Sequence, residues 1–376
     1  MQLVVKLKLL PDADQAAALL QTMERFNAAC DWLAGRAYEE RTANKYLLQR
    51  RYYGPLRSAF GLKAQMAVRV IAKVTEAYKR DKRVRPRFRP RGAIVYDARN
   101  SAPKGLDRYS LGTLDGPVVV PFVFGEYQRP LLGRLKGQAD LVYDGRAKKW
   151  YLYATADVPE GAPIVPAVGE GGILGVDLGI KNLAADSDGE TFAGAVVNGL
   201  RRRHHRLRKR LQAKGTHSAR RLLRRRSAKE RRFQADVNHT IARRLVQKAA
   251  ATRRGIALED LEGIRSRVNA PRGQRRVLHG WAFAHLRHCV EYKAARLGVP
   301  VWAVDPAYTS QTCPACGLVD RANRKTRAAF LCVGCGFAGP ADTVAATNIR
   351  RRAAVMRPHV PDARANPHGP PAVAPA

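Results

Sequence analysis

The sequence of 376 residues predicts a mixed α/β protein in which a small β-barrel, interrupted by helices, precedes an α/β region. The barrel is indicated by the opening segment Leu3–Leu9, where apolar and polar residues alternate, and by three strand-like runs within residues 117–158. In residues 173–350, short apolar runs alternate with long helical stretches, which is typical of an α/β fold.

Residues 11–83 are predicted to be a helical insert in the barrel, starting near Asp12 or Asp14. One apolar helical stripe contains Leu19, Met23, Phe26, Cys30 and Leu33, and a second contains Met66, Val70, Val74 and Tyr78. Between the stripes, the run QRRYYG either contacts nucleic acid or forms a solvated loop. Cys30 and Cys289 fall on predicted helices and are expected to be buried thiols.

The charge indicates the class of partner. The chain has 68 basic and 31 acidic residues, a formal net charge of +37. Lys and Arg release counterions from phosphates, so a polyanion is the expected partner. No apolar run is long enough for a transmembrane helix, and the alternating first strand differs from a signal peptide. We therefore expect a cytoplasmic, nucleoid-associated protein with no membrane partner.

Four cysteines have the spacing of a metal site. Cys313, Cys316, Cys332 and Cys335 form C-x2-C-x15-C-x2-C, in which two pairs of thiolates close a tetrahedral zinc site. A glycine follows each pair, where the tight turn requires a permissive backbone. Because all four ligands come from the protein, the predicted zinc ion is structural and has no open coordination position.

Three acidic residues lie in separate segments. Asp177 ends the apolar run GGILGVD, Glu259 ends GIALE, and Asp342 opens the helical run ADTVAATNI. Carboxylates that converge from distant segments can hold two divalent cations about 4 Å apart, the arrangement that cleaves phosphodiesters. Two of them also have a plainer interpretation. Asp177 could cap a turn, and Asp342 could cap a helix. Asp260 and Glu262 compete with Glu259, and the alternation does not choose between Glu259 and Asp260.

Residues 201–232 hold 16 Lys or Arg residues, together with an apolar stripe that includes Leu207, Leu222 and Phe233. The pattern favours a folded helical pair with a phosphate-tracking outer face over a solvated charge run. Asp186 and Asp188 are interpreted as part of a hairpin turn. The candidate nucleic-acid contacts are Arg201, Arg202, Arg203, Arg206, Arg208, Lys209, Arg210, Arg224, Arg225, Arg226 and, in the cysteine loop, Arg327.

The segments GVDLGIKNLA, DVNHTIARRLVQKA, IALEDLEGIR, TSQTCPACG, FLCVGCGF and ADTVAATNI together resemble the TnpB family. These are transposon-encoded RNA-guided DNA nucleases, related to compact type V CRISPR effectors. The resemblance is specific over about residues 175–350 and looser in the N-terminal half. It implies a guide RNA and a target DNA as partners; protein partners are not indicated.

The resemblance implies an RNase H-like (RuvC) nuclease domain with an inserted zinc ribbon, and a wedge-type β-barrel interrupted by a helical recognition insert. It places two Mg²⁺ ions on Asp177, Glu259 and Asp342, which selects Glu259 over Asp260, and structural zinc on the four cysteines. In the N-terminal part, the implied boundaries are 1–10 and 84–160 for the barrel and 11–83 for the helical insert. A linker at 161–172 follows. In the C-terminal part, they are 173–312 and 336–355 for the nuclease, 313–335 for the zinc ribbon, and 356–376 for a disordered tail.

Two departures from the family pattern affect the support around the third acid. Pro340 stands where the family usually has His, and Val344 where it commonly has Asn. The main hypothesis is an RNA-guided endonuclease that cleaves target DNA beside a short flanking motif. The alternatives are a compact type V CRISPR effector, a DDE-type transposase, and a weakly active or non-cleaving RNA-guided repressor.

Overall fold

The computed structural model describes residues 1–261 and 283–356. Residues 262–282, inside the predicted nuclease segment, and nearly all of the predicted disordered tail at 356–376 lie outside these described ranges. The chain divides into two compact units, of which the first is Met1–Val158 and the second begins at Pro159.

The first unit contains one antiparallel sheet with the strand order β2-β6-β7-β1-β5-β4-β3. Its strands are β1 Gln2–Leu9, β2 Ile94–Tyr96, β3 Ser101–Lys104, β4 Arg108–Gly112, β5 Pro117–Val123, β6 Leu135–Asp144 and β7 Lys149–Asp157. The prediction that the first strand joins the later ones is confirmed, since β1 pairs with β7 along its whole length and with β5 at its end.

The predicted β-barrel is found in part, because the antiparallel sheet is a curled half-barrel with edges at β2 and β3. These edge strands have only three and four residues. The turn at Asp97–Asn100 connects β2 to β3 along the chain. Within residues 1–158, however, no ladder of backbone hydrogen bonds pairs β2 with β3. Strands this short cannot supply the pairing that closure needs.

Three long helices and one short helix complete this unit: α1 Ala13–Glu39, α2 Lys45–Phe60, α3 Ala64–Arg80 and α4 Arg129–Leu132. Asp12 caps α1 through a capping box with Gln15. Every residue of the two predicted apolar stripes is buried, which confirms both helices.

Helix α2 was not predicted, because Gly54 and Pro55 interrupt its helical pattern. Packing against α1 overrides these breakers. Tyr52 packs edge-on to Trp32 with ring centroids 5.5 Å apart, and its hydroxyl donates a hydrogen bond to Glu40. The run QRRYYG is therefore helical and partly packed, not a solvated loop.

The second unit contains a five-stranded sheet in the order β10-β9-β8-β11-β12. Its strands are β8 Ile173–Asp177, β9 Asn182–Asp186, β10 Thr191–Ala193, β11 Gly255–Glu259 and β12 Val301–Val304. The first three strands are antiparallel, whereas β11 is parallel to both β8 and β12. This agrees with the predicted element order.

Helices cover both faces of this sheet. They are α5 Ala195–Lys214, α6 His217–Ala251, α7 Phe283–Leu297 and α8 Ala341–Ala354. Leu174, Val176 and Leu258 pack with α6 and α7 on one face. Ile173 and Ala257, on the opposite face, pack with α8. A separate two-stranded ribbon is formed by β13 Ala329–Leu331 and β14 Ala338–Pro340.

Candidate active site and four-cysteine cluster

Asp177 and Glu259 end adjacent parallel strands of the second unit. Leu258 lies opposite Val176 in the ladder, so the two acids follow at the same level of the sheet. Successive side chains in a strand point to opposite faces. Asp177 therefore shares the face of Ile173, and Glu259 shares the face of Ala257, which is the face that α8 covers.

Helix α8 brings Asp342 to the same place. Gly175 in β8 allows the helix to approach closely, because a Cβ atom there would lie 2.0 Å from the backbone oxygen of Ala346. Asp342 lies one turn before Ala346, in the first turn of α8. The helix backbone can thus contact β8 while its N-terminal turn lies towards the strand end that carries Asp177.

The electrostatics show that the three carboxylates share one environment. Burial, together with the charges of Glu259 and Asp342, raises the pKa of Asp177 from 3.8 to about 8. Burial also raises the pKa of Glu259, although a hydrogen bond from Thr309 opposes this shift. Carboxylates arranged in this way repel one another, and Arg324 compensates their charge only in part. A bound cation would supply the rest.

The donor set fits a hard cation, since carboxylate oxygens are the ligands that Mg²⁺ prefers. In two groups of described residues, the ligand atoms of each group all lie within 4.8 Å of one another. The three acids do not form such a group, so their carboxylate oxygens are more widely spaced. A single ion held by all three would need the closer grouping. A pair of ions about 4 Å apart can join more widely spaced carboxylates.

Asp342 does not cap its helix. Its Oδ2 atom accepts a hydrogen bond of 2.9 Å from Asn182 Nδ2, and its Oδ1 atom lies 3.4 Å from an Arg324 guanidinium nitrogen. Arg324 comes from the loop between the cysteine pairs, and its charge also acts on Asp177 and Glu259. The sequence did not associate Arg324 with the acids, because only the fold brings its loop to Asp342.

Glu259 and Asp260 have different surroundings. Glu259 is buried, and its Oε1 atom accepts a hydrogen bond of 2.5 Å from the Thr309 hydroxyl. Asn348 in α8 donates to the backbone oxygen of Thr309 and so fixes this support. Asp260 instead forms a 2.6 Å ion pair with Arg287 of α7. Thr309 and Asn348 were not predicted, because only the fold brings them to Glu259.

The predicted turn after β9 is confirmed. Asp186 Oδ1 accepts backbone hydrogen bonds from Asp188 and Glu190, as an Asx-type turn requires. Asp186 is fully buried and pairs with Lys248 of α6 at 2.5 Å. These acids therefore belong to a structural ion-pair network on the α6 side of the sheet.

The four cysteines form a compact cluster. The Sγ atoms of Cys313 and Cys335 are 3.6 Å apart, and so are those of Cys316 and Cys332. Tetrahedral zinc with Zn–S bonds of about 2.3 Å places its sulfur ligands about 3.8 Å apart. The residues therefore fit a structural zinc ion held by four thiolates.

The loops that present the cysteines have the predicted backbone. Gly317 and Gly336 have φ angles of +77° and +76°, in the left-handed region that glycine adopts without strain. The backbone N–H of Cys335 donates to Cys332 Sγ, and this contact is the main reason that the Cys332 pKa falls to about 6. A low pKa favours the thiolate form that binds metal.

Buried contacts tie the cluster together. The Asn323 side chain donates to the backbone oxygens of Gln311 and Leu318 and accepts from the N–H of Val333, linking the two cysteine loops. Val344 is buried against Cys313 and Cys332, and Pro340 ends β14 just before α8. Of the two departures from the family pattern, Val344 thus lies in a packed position, whereas Pro340 is exposed.

Helices α5 and α6 carry the basic run. Most of its predicted contacts are exposed, namely Arg202, Arg203, Arg206, Lys209, Arg210, Arg224, Arg225 and Arg226, as is Arg327. Arg201 and Arg208 are half-buried, and Arg208 pairs with Glu230 at 2.9 Å. Residues of both helices line a groove of about 700 Å³. The predicted apolar stripe is only half-buried, and Leu222 is exposed.

Comparison with known families identifies the chain. Residues 159–262 match the family described as probable transposase, OrfB_IS605, and residues 283–349 match the family described as Cas12f1-like, TNB domain. The chain belongs to the TnpB/OrfB_IS605 family. Its second match, over α7, the four-cysteine cluster and α8, relates this TnpB-family chain to the Cas12f CRISPR effectors.

Individual relatives agree with this assignment. The TnpB-family chain is 30% identical over 242 residues to the CRISPR-associated endodeoxyribonuclease Cas12f1 of Sulfoacidibacillus thermotolerans, covering 60% of this chain and 54% of that protein. It is 35% identical over 98 residues to the TnpB-like protein MJ0751 of Methanocaldococcus jannaschii, covering 26% and 34% of the two chains. The chain thus spans about half or less of these relatives.

The fold is similar to that of a Cas12f1–sgRNA–target DNA complex solved by cryo-EM. The TM-score is 0.58 at 14% identity, covering 88% of this chain and 82% of that one. At this identity the likeness shows a Cas12f-like mixed α/β fold. Among the described ranges, no helix has the length and apolar character needed to cross a membrane.

Proposed function

We propose that this TnpB-family chain is the RNA-guided DNA endonuclease of a transposable element, cleaving target DNA beside a short flanking motif. The observation that carries the proposal is the convergence of Asp177, Glu259 and Asp342 on one sheet face, where burial and the charges of the other two acids raise the pKa of Asp177. The relatives, an endodeoxyribonuclease and a guide RNA–target DNA complex, support the same activity.

The sheet supports a RuvC-like nuclease. Its order, with three antiparallel strands followed by two parallel ones, is that of an RNase H-type core. We assign this core to residues 173–312 and 336–355, with the zinc ribbon at 313–335 and a linker at 161–172. In the other unit, the half-barrel at 1–10 and 84–160 would act as the wedge domain, and 11–83 as the recognition insert.

Asp177, Glu259 and Asp342 would hold two Mg²⁺ ions. When bound, magnesium supplies an activated water and stabilises the leaving oxygen of the phosphodiester. The rest of the site positions these ligands: Thr309 orients Glu259, and Asn182 orients Asp342. Asp177 has to lose its proton before it can act as a ligand, because its pKa is about 8.

Arg324 has a separate role in this proposal. Its guanidinium lies 3.4 Å from Asp342 and partly offsets the carboxylate charge. Once cations supply that charge, the guanidinium is free to contact a substrate phosphate, for which its planar donors are suited. The sequence contains no second nuclease motif, so the same site would cut both DNA strands in turn.

The basic groove of α5 and α6 would hold the guide RNA or its duplex with target DNA. The exposed arginines there carry little compensating acid, since Glu230 is already engaged by Arg208 and His204. Arg327 would add a contact from the cysteine loop. In Cas9-type systems guide pairing supplies specificity while the protein contacts backbone and flanking motif, and we infer the same division here.

Plasmid cleavage by the protein purified with its bound RNA tests the proposal. Asp177→Ala and Glu259→Gln each remove a metal ligand, so cleavage should fall to background while RNA binding is unchanged. Asp260→Asn is the matched control, because it removes the neighbouring carboxylate that pairs with Arg287.

The Asp260→Asn protein should cut at a rate close to that of the unmodified chain. Cleavage at full rate by Asp177→Ala would refute the site. If the unmodified chain binds RNA and target DNA with Mg²⁺ present but leaves both strands intact, it is instead a non-cleaving RNA-guided binder.

A further inference from the structure

A second group of metal-type ligands lies between α6 and α7. His239 is on α6, and His285 and Cys289 are one turn apart on α7. Their ligand atoms all lie within 4.8 Å of one another, a property shared in the described ranges only by the four-cysteine cluster. Helices α6 and α7 pack on the face of the sheet opposite α8, so this group is separate from the three acids.

The distances fit a zinc-type ion. Cys289 Sγ is 3.4 Å from His239 Nδ1 and 3.9 Å from His285 Nε2. A tetrahedral ion with bonds of about 2.3 Å to sulfur and about 2.0 Å to nitrogen places these ligands about 3.6 Å apart. The observed values bracket that separation, and small side-chain rotations would equalise them.

The surroundings support His285 as a ligand. The Asn238 amide lies 2.9 Å from His285 Nδ1, which leaves Nε2 of that ring for an ion. A hydrogen bond to the second ring nitrogen is the usual support of a metal-binding histidine. The Tyr292 hydroxyl lies 3.2 Å from His239 Nδ1, the nitrogen that also faces Cys289, so an ion bound there would displace this contact.

Burial is graded across the group. Cys289 is buried, His285 is half-buried and His239 is exposed. An ion held here would therefore have protein on its inner side and solvent on its outer side. Imidazole and thiolate ligands select borderline or soft cations and disfavour Mg²⁺ and Ca²⁺.

We propose that His239, His285 and Cys289 bind one Zn²⁺ ion, which joins α6 to α7 and keeps a fourth position open to solvent. The site would be additional to the ion of the four cysteines. Because the open position faces water, this ion should exchange faster than the ion in the four-cysteine site.

Metal analysis of the full chain tests this inference. The protein is equilibrated with Zn²⁺, passed through a desalting column, and its metal content measured by mass spectrometry. The unmodified chain should hold about two equivalents, and His239→Gln should hold about one. The matched control is His217→Gln, an exposed histidine at the start of the same helix, which should keep both.

Cobalt titration gives a second readout. Co²⁺ at a site with one thiolate and two imidazoles should add a weaker thiolate charge-transfer band to that of the four-cysteine site. Cys289→Ser should remove the added band, and His239→Gln should weaken Co²⁺ binding there by more than about 100-fold. Because His239 is exposed, its substitution tests the site even if Cys289→Ser fails to fold.

One equivalent in the unmodified chain would overturn the proposal. So would a second equivalent that persists in both His239→Gln and Cys289→Ser. Neither result depends on DNA cleavage, so the outcome is independent of the proposed endonuclease activity.

Discussion

The four-cysteine cluster and the three-carboxylate cluster are both candidate metal sites of the second unit, but they are assembled differently. The cysteines come from one segment of 23 residues, Cys313–Cys335, in two similar tight turns. The carboxylates come from two strands and a helix that are up to 165 residues apart, from Asp177 to Asp342. A local site is specified by spacing, whereas a dispersed site needs the whole sheet to form.

The two clusters also differ in how they manage charge. Backbone N–H groups point at Cys332 and lower its pKa, so this one thiolate is stabilised before any ion binds. The pKa of Cys335 is raised, because a backbone hydrogen bond is outweighed by its contacts with the other three thiols. Burial and neighbouring acids raise the pKa of Asp177, so its carboxylate is destabilised until a cation arrives. The first arrangement favours a permanently held structural ion, and the second suits ions whose binding changes the site.

The largest effect that separates the clusters should come from Cys332→Ser. Removing one of four thiolates should release about one equivalent of zinc and destabilise the ribbon by several kcal/mol, because structural zinc supplies folding free energy on the order of 10 kcal/mol. Metal content and the melting temperature measure this. Val333→Ser, at the exposed next residue, should change neither quantity. Equal zinc content in Cys332→Ser would show that the cluster is not a four-thiolate site.

The next largest effect should come from Gly175→Ala, which alters the carboxylate cluster without touching an acid. The added methyl group would lie 2.0 Å from the Ala346 oxygen, so α8 has to move away from β8. We expect a loss of about 3 kcal/mol in the free energy of unfolding, and a strong loss of cleavage as Asp342 moves. Urea unfolding and plasmid cleavage measure these changes.

The control for this substitution is Gly199→Ala in α5, where an added Cβ atom meets nothing within 4 Å. It should be neutral or slightly stabilising, since alanine favours a helix. If Gly175→Ala were equally neutral, the close approach of α8 to β8 would not be what positions Asp342.

These contrasts show which parts of the molecule were predictable from sequence. The cysteine spacing and the stripe from Leu19 to Leu33 are local patterns, and both were predicted correctly. Helix α2 was missed because packing of Tyr52 on Trp32 outweighs Gly54 and Pro55. The barrel was predicted only in part, since the length of its edge strands depends on tertiary contacts that no local pattern records.

The candidate active site was predictable to a different degree. The apolar runs before Asp177 and Glu259 indicated strand ends, but the choice between Glu259 and Asp260 needed a family resemblance. Strand alternation in the fold now accounts for that choice, because Glu259 faces α8 while Asp260 pairs with Arg287. The supporting groups Thr309 and Arg324 remained hidden, because their contacts cross long sequence distances.

The smallest effect is a pH dependence confined to the carboxylate cluster. The pKa of Asp177 is raised from 3.8 to about 8, so the folded state binds more protons than the unfolded state between these values. Stability in magnesium-free buffer should therefore fall as the pH rises through this window. Asp177→Asn should remove that loss, stabilising the chain on the order of 2 kcal/mol at pH 9 and little at pH 4.

Thermal unfolding of the two proteins across this pH range measures the effect. The thiolate cluster should contribute none of the difference, because both proteins keep all four cysteines. A constant difference in melting temperature from pH 4 to 9 would show that the Asp177 carboxyl is not destabilised by its neighbours.

The central claim is that Asp177, Glu259 and Asp342 form one cation-binding pocket. Diffraction from crystals soaked in Mn²⁺, recorded at the manganese absorption edge, tests it most directly, because Mn²⁺ replaces Mg²⁺ on oxygen ligands. We predict two anomalous peaks about 4 Å apart among the three carboxylates, both absent in Asp177→Asn. Manganese bound elsewhere, with no peak between these side chains, would contradict the account.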